Sequence, residues 1–151
     1  MSQENPIRLF VSHLFAPDDE YYRTFEYLES AKNFFYRNLS APDKTPRSFD
    51  RESLKEGLRQ QMADAEIIVL LSALHARDPI LIEFQGLYAK ACDKPVILME
   101  PFGTGDPVPA KLRELADEVL PWNEREMSDA IRRQARHEET TRWDTIEFKL
   151  D

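Results

Sequence analysis

Glu66-Ile-Ile-Val-Leu-Leu-Ser72 is an unbroken apolar run that ends on a serine. Residues Pro79 to Cys92 follow with helical spacing, and Pro95-Val-Ile-Leu-Met99 is a second apolar run. Both runs are too apolar to alternate between a wet and a dry face, so each reads as a strand buried on two sides. Strand, helix, strand in this order is the unit of a parallel sheet. The helix carries Glu83, beside Ile80 and Leu87 on the helical wheel and at the margin of the face expected to meet the core. A carboxylate there lies near the carboxyl end of a buried strand, where open α/β sheets bind their ligands.

Working outward toward the N-terminus, Ile7 to Ser12 reads as the first strand. Asp18 or Asp19 suits an N-cap, with Glu20 favourable in the first turn. Tyr21, Phe25, Leu28, Ala31, Phe35 and Leu39 share one helical face, which predicts a long helix stopping near Ser40, before Pro42. Residues 40–51 hold two prolines and promise at most a short or edge strand. Asp50 is placed to cap a helix from Glu52 to Ala63 with Leu54, Leu58 and Met62 inward.

Toward the C-terminus, residues 101–107 form a turn-rich loop, and Pro109 suits the first turn of a short helix through Ala116. Glu118 to Asn123 reads as a last short strand, and Ser128 to Arg136 as a last helix. Trp143, Ile146, Phe148 and Leu150 suggest that the tail packs on the domain or adds a strand. The expectation is an α/β fold: a flavodoxin-like three-layer sandwich around a parallel sheet of about five strands, ordered 2-1-3-4-5. Residues 1–136 form the domain and 137–151 the tail.

Composition removes several classes of function. With 28 acids and 20 bases the net charge is −8, so non-specific nucleic-acid binding is not expected. The single cysteine, Cys92, cannot form an intramolecular disulfide, which points to a reducing, cytoplasmic setting. The polar N-terminus has no signal-peptide core, and no run is long enough to cross a bilayer. Neither Gly-rich phosphate-binding motif occurs, and no C-x-x-C or H-E-x-x-H suggests a metal site. A G-x-S-x-G nucleophile elbow is absent too. A phosphoacceptor receiver domain shares the expected fold, but the third strand ends on Ser72 rather than an aspartate. The fifth ends at Trp122 or Asn123 rather than a lysine.

The remaining candidates cluster at the carboxyl ends of the expected strands. Ser12 and His13 end the first, and Ser72 and His75 follow the third. Serines there also cap turns, and loop histidines are often merely solvated. Arg77 precedes a helix N-terminus, beside which an anionic phosphate would bind; a surface ion pair is its other use. Glu83 itself would also serve as an early-helix acid facing the helix dipole.

These residues resemble the TIR-domain family, nearest to the short bacterial TIR-like proteins of Thoeris-type anti-phage defence. The likeness covers roughly residues 6–136. Arg8-Leu-Phe-Val-Ser-His13 is similar to the family's first strand, and Ala65 to Ser72 to its third. Pro79-Ile-Leu-Ile-Glu83 followed by Lys94-Pro-Val-Ile-Leu98 is similar to its third helix and fourth strand. In NAD-cleaving members a glutamate at the position of Glu83 is catalytic. The family often has a tryptophan four residues earlier, where this chain has Pro79, and its second strand is not recognisable here.

The resemblance implies cleavage of the nicotinamide–ribose bond, with NAD+ as substrate rather than cofactor and no metal. It makes Glu83 the catalytic residue. Position, rather than the resemblance, gives substrate-binding roles to the Ser12, His13 and Phe15 loop, to Asp50, to Ser72 and His75, and to Arg77 at the pyrophosphate. An ADP-ribose-type signal and self-association, or docking to another TIR-like or effector protein, are also implied. Two further readings stand beside it: a non-enzymatic TIR-like interaction module, and a nucleoside 2-deoxyribosyltransferase-like enzyme with a glutamate nucleophile. The acidic loop signature of the latter is not evident.

Overall fold

Among the described residues, five short strands build the sheet: β1 (Ile7–Val11), β2 (Tyr36–Asn38), β3 (Ile67–Leu71), β4 (Val96–Met99) and β5 (Glu118–Leu120). Five helices alternate with them: α1 (Asp19–Ser30), α2 (Arg51–Met62), α3 (Pro79–Ala91), α4 (Ala110–Leu115) and α5 (Glu124–Arg136). This is a computed structural model, and it describes residues 1–140. The expectations for Trp143, Ile146, Phe148 and Leu150 therefore lie outside the described residues.

The sheet order is β2-β1-β3-β4-β5 and every pairing is parallel, so the fold is the expected flavodoxin-like α/β sandwich. Helix α1 packs with α5, and α3 packs with α2 and α4, which puts a helical layer on each face of the sheet. Every residue of β3 and β4 is buried, as their unbroken apolar runs require. In register, Leu9 faces Ile67 and Val11 faces Val69, while Leu70 faces Leu98.

Local chemistry sets most element ends. Asp18 caps α1 by accepting from the Tyr21 N–H at 3.1 Å, and Asp50 caps α2 by accepting from Ser53 N at 2.9 Å. Lys94 reaches back to the end of α2, donating from Nζ to the Ala63 and Ala65 carbonyls at 2.9 and 2.8 Å. It satisfies acceptors that a helix C-terminus leaves open.

Several expectations are corrected. Helix α1 stops at Ser30, not near Ser40, and the second strand lies at Tyr36–Asn38 rather than within 40–51. Asn33 takes a left-handed φ of 55° and turns the chain. The aromatic segment that follows pairs with β1, Ile7 N donating to Phe35 O at 3.0 Å and Leu39 N to Leu9 O at 2.8 Å. A parallel ladder overrides the helical spacing of Ala31, Phe35 and Leu39.

The second correction concerns α3. Its core stripe is Leu81, Ile82, Gln85, Gly86 and Ala89, whereas Ile80 and Leu87 are each 57% exposed. Glu83 therefore does not border the core through Ile80 and Leu87. Third, α5 begins at Glu124, not Ser128, because Asn123 caps it by accepting from Glu126 N at 2.9 Å. Pro109 likewise stands one residue before α4, and β5 ends at Leu120 instead of running to Asn123.

Candidate functional site

The carboxyl ends of β1 and β3 open onto the loops that lead to α1 and α3, and these strands are neighbours at the centre of the sheet. Helices leave them toward opposite faces, which is the switch point where open α/β sheets hold ligands. After β3 the chain makes a tight 3-10 turn over Ser72–Ala76, then reaches Asp78, the N-cap of α3. Asp78 accepts from Leu81 N at 3.0 Å, and Pro79 supplies a first helical position that needs no donor.

This short path aims two side chains at each other. His75 Nε2 lies 2.7 Å from Glu83 Oε2, within hydrogen-bond reach, and both side chains are about three-quarters buried. The second carboxylate oxygen is 3.9 Å from Lys111 Nζ on α4. Lys111 is mostly exposed, so that pair is weak and solvent-screened. The glutamate is thus oriented by a histidine of the preceding turn, with an exposed cation on its other side.

Charged pairs fasten the surrounding loops. Arg77 Nη1 is 3.3 Å from Asp18 Oδ1, joining the turn after β3 to the cap of α1. Arg51 Nη1 donates to both oxygens of Asp78 at 2.8 and 3.0 Å, joining the start of α2 to the start of α3. Consecutive residues Arg77 and Asp78 therefore reach in opposite directions, one toward each helix.

Beneath this rim the other sequence-selected residues are engaged inside the protein. Ser12 is fully buried, and its hydroxyl accepts from Leu71 N at 2.8 Å. The Ser72 hydroxyl donates to the Met99 carbonyl at 2.7 Å. Each extends the sheet's hydrogen bonding by one rung past the end of its strand. His13 is fully buried, with Nε2 2.8 Å from Gln61 Oε1 and Nδ1 accepting from Phe15 N at 3.1 Å. Only the neutral ring with its proton on Nε2 satisfies both contacts. Burial holds its pKa down at about 4, an effect larger than the opposing hydrogen bond to Gln61.

Phe15 is buried with a left-handed φ of 57° and meets the His13 ring edge-on at 4.8 Å. Its ring lies against Gly57, where an added Cβ would come within 3.1 Å of Phe15 Cζ. Asp50 is spent on the α2 cap, and hydrogen bonds from Ser48 and then Ser53 hold its carboxyl below the usual range. The structure thus brings His75 and Glu83 into contact, with Arg77 on the same turn as His75. It leaves Ser12, His13, Phe15 and Ser72 in the layer below, and Asp50 at the head of α2.

The sequence reading missed Lys111, Gln61 and Gln85. Lys111 carries no local signal, since only the fold brings α4 to α3. Gln85 had one: it is an amide on the apolar stripe of α3, and its Nε2 donates to His13 O at 2.9 Å. Gln61, beside the inward Met62, likewise donates to Ala41 O at 3.0 Å.

Cavities of note lie away from Glu83. One of about 480 Å³ is bordered by the end of α1 and by α5, including Lys32, Arg125 and Arg132. Another, of about 340 Å³, lies at the loop after β4 between Tyr27, Phe102 and Trp122. Among the described residues no group of three or more His, Cys, Asp or Glu side chains is placed to hold a metal ion, and no helix is long and apolar enough to cross a membrane. No family model and no curated protein matches the chain.

Proposed function

We propose that the protein cleaves the nicotinamide–ribose bond of NAD+, with Glu83 as the catalytic carboxylate. The observation that carries this reading is the 2.7 Å contact between His75 Nε2 and Glu83 Oε2 at the carboxyl rim of β3. It fixes a largely shielded acid at the end of the sheet where α/β folds bind nucleotides. In this reaction the C1′–N bond breaks and its electron pair goes to the nicotinamide nitrogen, which becomes neutral. Water then adds to C1′ and releases a proton, giving ADP-ribose; another nucleophile at C1′ gives a cyclic or conjugated product.

The leaving group is already cationic, so no general acid is required at that nitrogen. The transition state is oxocarbenium-like. A fixed carboxylate beside the ribose stabilises the growing positive charge and accepts hydrogen bonds from the sugar hydroxyls. His75 is the positioning residue, because it holds one carboxylate oxygen. Arg77 offers a guanidinium to the pyrophosphate, in exchange for its partner Asp18. An ADP-ribose-type signal in anti-phage defence, with activity linked to self-association or to another TIR-like or effector protein, follows from the resemblance.

The test is nicotinamide release from NAD+ by the full chain at high protein concentration. Replacing Glu83 with Gln preserves shape and removes the charge. The expected loss is about a hundredfold or more in turnover, the scale of removing a transition-state charge stabiliser. An inert wild type, or a Gln variant as active as wild type, rejects the proposal.

The second reading, a TIR-like interaction module without catalysis, is favoured by one observation. Ile80 and Leu87 flank Glu83 on α3 and are each 57% exposed. Leu87→Glu would then abolish self-association, measured by sedimentation, in a protein that leaves NAD+ intact.

A further inference from the structure

Three aromatic side chains from distant parts of the sequence meet at the carboxyl end of the sheet, at the loop after β4. Tyr27 comes from α1, Phe102 from that loop, and Trp122 from the segment after β5. Tyr27 and Trp122 have ring centroids 5.5 Å apart and planes at 70°. Phe102 and Trp122 are 5.5 Å apart at 82°, and Tyr27 and Phe102 6.4 Å apart at 77°. The three planes are close to mutually perpendicular, like the walls that meet at the corner of a box. They border the cavity of about 340 Å³, with Glu100 and Asp106.

The walls are held in place from behind. Trp122 Nε1 donates to the Glu100 carbonyl at 2.7 Å, and Phe102 N donates to Glu20 Oε2 at 3.3 Å. All three rings are only partly buried, so their surfaces are not consumed by the core. Gly103 and Gly105 both take left-handed φ values, 71° and 73°, and a Cβ at either would meet nothing within 4 Å. The loop therefore leaves open space at this place and does not fill it.

The chemistry of the lining is one-sided. Three aromatic and two acidic residues border the cavity, and none of the bordering residues is basic. Ring faces carry negative quadrupole charge and attract cations. The protein already uses this property beside the corner, with the Arg23 guanidinium 4.0 Å over the Phe102 ring; Arg23 does not border the cavity. A primary ammonium is strongly hydrated and gains little by leaving water for aromatic surfaces. An alkylated ammonium is weakly hydrated and apolar at its surface, so it suits rings and carboxylates together.

We propose that the corner of Tyr27, Phe102 and Trp122, with the carboxylates of Glu100 and Asp106, binds a quaternary ammonium group. The site does not use Glu83 and stands independently of NAD+ cleavage. The same head group occurs in a free small molecule such as choline and in a trimethylated lysine side chain of a peptide.

The test is a fluorescence titration of the full chain carrying Trp143→Phe, which leaves Trp122 as its one tryptophan. The probes are choline, a trimethyllysine peptide, and 3,3-dimethylbutanol, the uncharged carbon isostere of choline. Saturable change with choline, with the peptide or with both, and none with the isostere, is the expected result; the two cationic arms identify the source. Tyr27→Leu keeps apolar bulk, removes one ring face and should weaken binding roughly tenfold. Asp106→Asn, on an exposed loop, should weaken it severalfold without altering the melting temperature. Equal binding of cation and isostere, or no response to either cation, overturns the proposal.

Discussion

The side-chain amide of Gln85 clasps the backbone of His13, donating from Nε2 to the His13 carbonyl at 2.9 Å and accepting from His13 N at 3.4 Å. The pair joins the loop after β1 to the core face of α3, and both residues are fully buried. This clasp fixes the floor on which the rim residues His75 and Glu83 stand.

Gln85→Leu keeps the volume and helix propensity but leaves the His13 carbonyl and N–H without their partner. A buried polar group left unpaired costs about 1–3 kcal/mol. Urea denaturation at pH 7 should show the variant less stable by about 2–4 kcal/mol. A loss under about 0.5 kcal/mol would place the clasp among merely incidental contacts.

His13 makes stability depend on pH in a stated direction. Its ring is held at about 4 by burial, against an ordinary 6.5. Between these values the unfolded chain binds a proton that the folded protein does not. The contribution is complete above pH 6.5, declines as the pH falls toward 4, and changes no further below that. At about 1.4 kcal/mol per pH unit the total is on the order of 3 kcal/mol. Proton NMR of the His13 ring at pH 5 should find it neutral, with its proton on Nε2.

Glu66 works over a lower range. Two nitrogens of Arg136 meet its carboxylate, Nη2 to Oε2 at 2.9 Å and Nε to Oε1, and Arg8 N donates to Oε2 at 2.9 Å. The Arg136 hydrogen bonds foremost hold its pKa at about 2, below the ordinary 4.5. Here the stabilisation is full above pH 4.5 and is lost as the pH falls toward 2. Arg136→Met should cost about 1–3 kcal/mol at pH 7. Denaturation curves should show that difference shrinking steadily between pH 4.5 and pH 2.

Gly86 has an exacting neighbourhood. A Cβ there would stand 2.8 Å from Leu115 Cδ1 and 3.1 Å from Leu70 Cδ1, where α3 meets both α4 and β3. Helix propensity alone favours alanine by about 1 kcal/mol. Overpacking costs about 1–3 kcal/mol. The Gly86→Ala protein should therefore be less stable by about 1 kcal/mol in thermal unfolding, against the propensity scale.

The sheet was legible because its central strands announce themselves. Ile67–Leu71 and Val96–Met99 are apolar throughout, and only a strand covered on both faces needs that. Asp18 and Asp50 could be read as caps since capping is a contact over three residues. The second strand was not legible: Tyr36–Asn38 has one partly buried residue and two exposed ones, and its partner lies 29 residues away. Residues 31–39 kept helical spacing, so no local signal competed. The face of α3 was misread for a related reason. Apolar residues surround much of that helix, and only its neighbours decide that Leu81 and Gln85 go in while Ile80 and Leu87 stay out.

At the site, the sequence offered the residue types at the ends of β1 and β3 but not their orientation. The contact between His75 and Glu83 depends on a 3-10 turn five residues long, whose curvature no motif encodes. That Ser12 and Ser72 complete the sheet's hydrogen bonds became visible only with their acceptors and donors in view.

The central claim is that Glu83 stands beside a ribose. It is tested most directly by a structure of the full chain with a non-hydrolysable NAD+ analogue. The account predicts the Glu83 carboxylate about 3 Å from the ribose hydroxyls of the nicotinamide side, with Arg77 turned from Asp18 to the pyrophosphate. An analogue seated elsewhere, or none bound at saturation, with Glu83 still joined to His75 alone, would contradict it.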